Sequence, residues 1–199
     1  MPKYNAKGKA SEADKIAYAE EVFGQVNRLM ELANKQHDRA LALTVASFAE
    51  ECLGRLLRTF FREVKASEDL LEGFNAPLGT FAARTKVCHA MGLLSDIQFK
   101  DLELIRKIRN EFAHTWDECS FDDEKIKDWV SSLSPPRISG DSPKSHEAKF
   151  RSSMFGILVE VEVLQSKIEG ENKRLSSIAV HLGGSKKVAS SKKDGVNHE

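Results

Sequence analysis

Residues 95–114 read Ser-Asp-Ile-Gln-Phe-Lys-Asp-Leu-Glu-Leu-Ile-Arg-Lys-Ile-Arg-Asn-Glu-Phe-Ala-His. Apolar residues recur in this stretch at three- and four-residue intervals, which predicts an amphipathic helix. Ser95 or Asp96 can cap its first turn. The stretch therefore predicts one helix of a helical bundle that ends near His114.

The predicted helix has two distinct faces. On a helical wheel of about 100° per residue, Ile105, Ile108 and Phe112 share the buried centre. Arg109 lies on one shoulder of this face, about 60° from Phe112. The neighbouring polar face repeats every four residues and is formed by Arg106, Asn110 and His114.

The rest of the chain repeats the helical pattern. Further helices are predicted from Ser11 to Ala33, from Asp38 (as the cap) to Phe61, from Thr80 (as the cap) to Gly92, from Phe121 onward, and from Glu147 to Arg174. The second is apolar over most of its circumference, so it should be central. We expect an all-α, irregular multi-helix bundle over residues 11–180, a flexible arm over 1–10, a mobile loop near 132–146 and a disordered tail over 181–199.

Composition argues against several classes of protein. Lys plus Arg total 30 and Asp plus Glu total 30, whereas dedicated nucleic-acid binders usually carry a basic excess. The three cysteines, Cys52, Cys88 and Cys119, are too far apart for a paired-thiolate zinc site and are odd in number. We expect no metal, no cofactor and a cytoplasmic location, because neither a signal peptide nor a membrane-spanning run is evident.

Arg109 lies beside the predicted core, where a charge needs a partner. We predict an ion pair with Glu50 or Glu51, although these carboxylates could instead meet Arg55 and Arg58 along the surface. Arg109 and His114 also resemble the Arg-x4-His motif of HEPN domains. That resemblance implies, as an alternative, an RNase in which Arg109 binds the scissile phosphate and His114 is the acid or base. Otherwise we assign no catalytic residue.

The segment from Leu71 to Thr80 interrupts the helical pattern. Its Pro77 and Gly79 either shape a simple turn or hold the loop against a groove that faces Arg109. In the second case Arg84, on the next helix, would join the polar face in a small anion site made of Arg84, Arg106, Arg109, Asn110 and His114.

Five ordered segments resemble the mannitol operon repressor family: Asp38-Arg-Ala-Leu-Ala-Leu, Glu72-Gly-Phe-Asn-Ala-Pro-Leu-Gly-Thr-Phe-Ala-Ala-Arg84, Met91-Gly-Leu-Leu, Leu104-Ile-Arg-Lys-Ile-Arg-Asn-Glu-Phe-Ala-His114 and Phe121-Asp-Asp. The resemblance implies a helical regulator that represses sugar-alcohol uptake genes, and no catalytic residues. The break before Thr80 is too long for a helix-turn-helix. We therefore expect repression through a protein partner and weak direct DNA contact, with a homodimer formed by exposed parts of the first and last helices.

Overall fold

The computed structural model describes residues 12–135 and 143–176. Within these ranges the chain forms helices and no strand, which confirms the all-α prediction. The arm predicted for 1–10, the tail predicted for 181–199 and the middle of the loop predicted for 132–146 lie outside the described residues. The helices are α1 (Glu12–Ala33), α2 (Asp38–Phe60), α3 (Lys65–Leu71), α4 (Phe81–Ala90), α5 (Asp96–His114), α6 (Glu124–Ser131) and α7 (His146–Gly170).

Helix α2 is the central element of the bundle, as its wide apolar face predicts. It packs against α7, α5 and α4. Its leucines at 41, 53, 56 and 57 are fully buried. Replacing any one of them by alanine should cost about 2–5 kcal/mol, because a close-packed core refills a cavity only in part.

Helix α5 begins with a capping box. The Ser95 hydroxyl accepts the backbone N–H of Gln98, and the Gln98 side chain accepts the backbone N–H of Ser95 at 2.8 Å. Ile105, Ile108 and Phe112 are fully buried, as the wheel predicts. Local chemistry therefore fixes where α5 begins, and packing fixes which face is buried.

Three aromatic rings connect α5, the segment that follows it, and α7. The ring centroids of Phe112 and Phe121 lie 5.0 Å apart in an edge-to-face arrangement. The centroids of Phe121 and Phe150 lie 4.8 Å apart. All three side chains are buried, so the segment between α5 and α6 is fixed to the core through Phe121.

Some helix boundaries differ from the sequence predictions. Helix α6 begins at Glu124 rather than Phe121, because Phe121 is buried and its N–H donates to the Asp38 carboxylate at 2.9 Å. For the same reason Asp38 does not cap α2. Helix α7 ends at Gly170 rather than Arg174, and Asn172 then adopts a left-handed φ of 49°. The short helix α3 was not predicted.

Candidate functional site

Arg84 holds three backbone segments together through hydrogen bonds. Its Nη1 donates to the carbonyl of Glu50 on α2 at 2.8 Å, its Nε to that of Leu78 at 2.9 Å and its Nη2 to that of Leu71 at 3.1 Å. The guanidinium lies over Gly54, which has no side chain to obstruct it. Three of its five donors therefore already bind carbonyl oxygens, and the contribution of Arg84 to an anion site stays a prediction.

The other four residues of the predicted anion site lie along α5, but their polar groups are partly satisfied there. Arg106 pairs with Glu103 at 2.9 Å, and this hydrogen bond raises the pKa of Arg106. Arg109 Nη1 donates to the Asn110 amide oxygen at 3.0 Å. His114 is exposed at the end of the helix. The structure thus keeps four of the five residues on one helix, with Arg106, Arg109 and Asn110 partly buried and His114 exposed.

The predicted partners of Arg109 lie elsewhere. Glu51 pairs with Arg55 one turn along α2, at 3.2 Å, which is the surface pairing that the sequence offered as the alternative. Glu50 accepts a hydrogen bond from Arg84 through its backbone carbonyl. Among the described residues no ion pair joins Arg109 to either glutamate. Arg109 is only partly buried, so water can solvate the rest of its charge.

A polar cluster that the sequence did not predict lies between α2 and α7. Arg55 forms an ion pair with Glu162, and Cys52 donates to the same carboxylate oxygen at 3.4 Å. Burial raises the pKa of the Cys52 thiol, although the nearby Arg55 acts in the opposite direction. Because the partners lie about a hundred residues apart, only the tertiary structure reveals the cluster.

The RNase alternative requires Arg109 and His114 to act on the same phosphate. On an ideal helix the directions of the two side chains differ by about 140°, a separation that the Arg-x4-His spacing fixes in any helix, so it neither favours nor opposes the alternative.

Of the residues that the structure describes, no three His, Cys, Asp or Glu side chains are placed to hold a metal ion.

Helices α4 and α5 are joined by a short turn in which Gly92 has a φ of 72°. If the pair acted as a DNA-reading motif, the first turns of α5 would carry the reading side chains. Instead Asp96 contacts His89 at 2.8 Å and Gln98 donates to Glu160 at 2.7 Å. Asp96 and Gln98 are therefore already engaged within the protein, and the exposed first turn of α5 carries Asp96 and no basic residue, which does not suit contact with DNA.

Trp116, in the segment between α5 and α6, is a large apolar residue that remains exposed, which the sequence did not predict. The residue is 91% exposed, whereas Phe112 and Phe121 on either side of it are buried. An open cleft of about 580 Å³ lies beside this segment, lined by residues 37–39, 118–120 and Asp123. One sequence signal could have revealed this exposed residue. It is a tryptophan that follows directly after the end of a helix and does not fit the apolar periodicity.

The acidic groups of this segment are held in place by hydrogen bonds. Asp123 accepts the backbone N–H and the hydroxyl of Ser120, both at 3.1 Å. These bonds hold the pKa of Asp123 below its ordinary value, so it is ionised at neutral pH. Burial and the bond to Asp123 raise the pKa of Cys119, which favours the protonated form of that thiol.

The part of the chain that is similar to known proteins includes most of the helices described above. Residues 25–157 match the family model MtlR, described as mannitol repressor. The mannitol operon repressors of Escherichia coli K12 and of Escherichia coli O6:H1 strain CFT073 are each 30% identical to this chain over 120 residues. That alignment covers 57% of this chain and 61% of each relative.

A solved structure is also similar, the X-ray structure of the MtlR-HPr complex from Escherichia coli. It is 24% identical, with a TM-score of 0.49, and the match covers 72% of this chain and 97% of that one. The identity and the TM-score are too low for this similarity to indicate a partner or an activity of this chain. None of these matches supports the HEPN alternative.

The described helices include none with the length and apolarity that a membrane span requires.

The family model covers more than half of the chain and includes α2 to α6 entirely. It also contains all five segments on which the sequence resemblance rests. The chain therefore belongs to the mannitol repressor family.

Proposed function

We propose that this protein represses transcription of a mannitol-utilisation operon through contacts with another protein, and that it is not an enzyme. The observation that carries the proposal is the family match over residues 25–157. The named relatives are repressors of that operon, and the chain aligns with 61% of their length.

Charge and exposure favour a protein contact over stand-alone DNA binding. The chain has no net charge, and DNA affinity depends mainly on neutralising phosphates. The first turn of α5 carries Asp96 and no basic residue. In contrast, Trp116 is almost fully exposed, and exposed aromatic side chains are typical of protein interfaces.

We also propose a homodimer in the cytoplasm. Met30 and Leu32 on α1 and Val163 on α7 are large apolar side chains that remain exposed, and α1 packs beside α7. Such residues can form a self-complementary surface. Light scattering over a range of concentrations should give twice the mass of one chain, and a monomer at high concentration would contradict the dimer.

The main test is a reporter fused to the promoter of the host's own mannitol operon. Deleting the gene should raise expression several-fold in the absence of mannitol, and a plasmid copy should restore repression. No change on deletion would show that the proposed function is wrong. Gel shifts with the purified chain, repeated across salt concentrations, should show at most weak binding with a steep salt dependence.

The mode of action needs a separate measurement. Tight and sequence-specific binding by the chain alone would contradict the protein-contact mechanism. Pull-down with purified candidate proteins should identify a partner, and HPr is one protein to include among them. The expected result is a complex that forms at equal concentration and survives gel filtration.

A further inference from the structure

We propose that Trp116 and the acidic segment after it, residues 117–124, form a docking surface for a partner protein that presents arginine or lysine side chains. The inference rests on the proposed function, because it names the surface through which a protein contact would act in repression. It does not depend on any residue of the polar face of α5.

The first argument is the exposure of Trp116. The residue is 91% exposed, although the protein buries Phe112 and Phe121 nearby. An indole left in water forgoes hydrophobic burial. Tryptophan is also among the residue types most enriched where binding energy concentrates in protein interfaces. The ring is therefore placed as a contact residue would be.

The second argument is that the backbone under Trp116 is fixed. The N–H of Thr115 donates to the carbonyl of Glu111 at 3.0 Å, which completes the end of α5. Arg39 donates to the carbonyl of Asp117, and Phe121 anchors the far end of the segment in the core. A partner would therefore meet a preorganised surface, which reduces the entropy lost on binding.

The third argument is charge, which selects the chemistry of the partner. Residues 117–124 contain five carboxylates and no lysine or arginine: Asp117, Glu118, Asp122, Asp123 and Glu124. A surface of this sign attracts a basic partner, slows association with an acidic one and repels nucleic acid. An arginine of the partner could in addition stack on the Trp116 ring as a cation–π pair.

The cations near the segment cancel only part of this charge. Arg39 donates to the neutral backbone carbonyl of Asp117, so its own positive charge offsets one of the five carboxylates. Lys125 pairs with Glu111 at 2.7 Å, outside the segment. His146 Nδ1 lies 2.8 Å from Asp122, so three carboxylates remain even when that histidine is protonated.

A cleft beside residues 118–120 provides room for a side chain of the partner. It has a volume of about 580 Å³, and its lining includes the carboxylates of Asp38, Glu118 and Asp123 and the guanidinium of Arg39. An extended arginine or lysine that entered it would meet the ionised Asp123 carboxylate. The segment thus offers an apolar ring and a cleft in which carboxylates outnumber the cation.

A binding assay with a defined probe tests the surface directly. The probe is a fluorescein-labelled octapeptide of alternating arginine and serine, followed by anisotropy, with a glutamate–serine octapeptide as its negative counterpart. Trp116→Ala and Glu118→Lys should each weaken binding of the arginine peptide at least about tenfold. Phe74→Ala and Glu63→Lys, which change an equally exposed aromatic and an equally exposed carboxylate elsewhere, should leave it unchanged.

The same four variants are then tested in the repression assay, with circular dichroism confirming that each is folded. Trp116→Ala and Glu118→Lys should relieve repression, whereas Phe74→Ala and Glu63→Lys should repress like the wild type. If deletion of the gene raises expression but all four variants repress normally, the docking surface is wrong while the proposed function stands. If deletion has no effect, the proposed function fails and the peptide assay alone decides the inference.

Two further outcomes would also overturn the inference. If Trp116→Ala changes the mass of the protein in sedimentation from two chains to one, the surface holds a second copy of this chain. If a DNA duplex competes with the arginine peptide for the wild type but not for Trp116→Ala, the surface binds nucleic acid.

Discussion

The guanidinium of Arg84 lies directly over Gly54, so close that a Cβ atom on residue 54 would come within 2.7 Å of Arg84 Nη1. The same guanidinium donates to three carbonyl groups, on α2, at the end of α3 and in the loop before α4. The missing side chain at position 54 and the long side chain at position 84 are therefore one structural unit.

Gly54→Ala should destabilise the protein by about 1–3 kcal/mol, because the added methyl group must displace a guanidinium that three hydrogen bonds hold in place. In an Arg84→Ala background the same change should instead stabilise by up to about 1 kcal/mol, since alanine is the better helix former. Urea unfolding of the four proteins gives the coupling energy. Gly24→Ala is the control, because an added Cβ there meets nothing within 4 Å.

Arg84→Met should lower the free energy of unfolding by about 2–3 kcal/mol, because the carbonyls of Glu50, Leu71 and Leu78 lose a charged donor. Arg84→Lys should recover only part of this, since one ammonium group cannot replace a planar fork that reaches three separate acceptors. The matched control is Lys86→Met on the exposed side of α4, expected to change stability by less than about 0.5 kcal/mol. Equal effects at positions 84 and 86 would contradict a structural role for Arg84.

The sequence predicted α2 and α5 well because their signals are local. The capping chemistry at Ser95 and the apolar periodicity of α5 lie within one helix, and both are present in the structure. The contacts of Arg84 could not be predicted in the same way. Its acceptors are backbone carbonyl groups, which every residue has and which therefore carry no residue-specific signal. Asp38 shows the same limit, since its carboxylate binds the N–H of Phe121, far along the chain, rather than capping its own helix.

Arg55 pairs with two carboxylates in different environments, so the cost of removing each should differ. Glu162 is 11% exposed and lies between α2 and α7, whereas Glu51 is 67% exposed on the surface of α2. Glu162→Ala should cost roughly 3 kcal/mol, because it leaves a partly buried guanidinium without its main partner. Glu51→Ala should cost less than about 0.5 kcal/mol. Urea unfolding at neutral pH measures both, and similar costs would contradict a role for burial.

Thiol burial should make the protein less stable at alkaline pH. Burial raises the pKa of Cys88 to about 12, although Arg84 acts in the opposite direction. An unfolded cysteine ionises at about pH 8.5. Below that pH the thiol is neutral in both states and its contribution is constant. Above it only the unfolded chain loses the proton, so stability falls by about 1.4 kcal/mol per pH unit until the folded thiol also ionises.

Urea unfolding of wild type and Cys88→Ala, both under reducing conditions, isolates this effect from other titrating groups. Between pH 7.5 and pH 10 the wild type should lose about 2 kcal/mol more than the variant. Cys119→Ala is the comparison at a partly exposed thiol, and it should alter the pH dependence less, because a thiol near the surface is desolvated less. Parallel pH profiles for wild type and Cys88→Ala would show that Cys88 ionises as readily in the folded protein as in the unfolded chain.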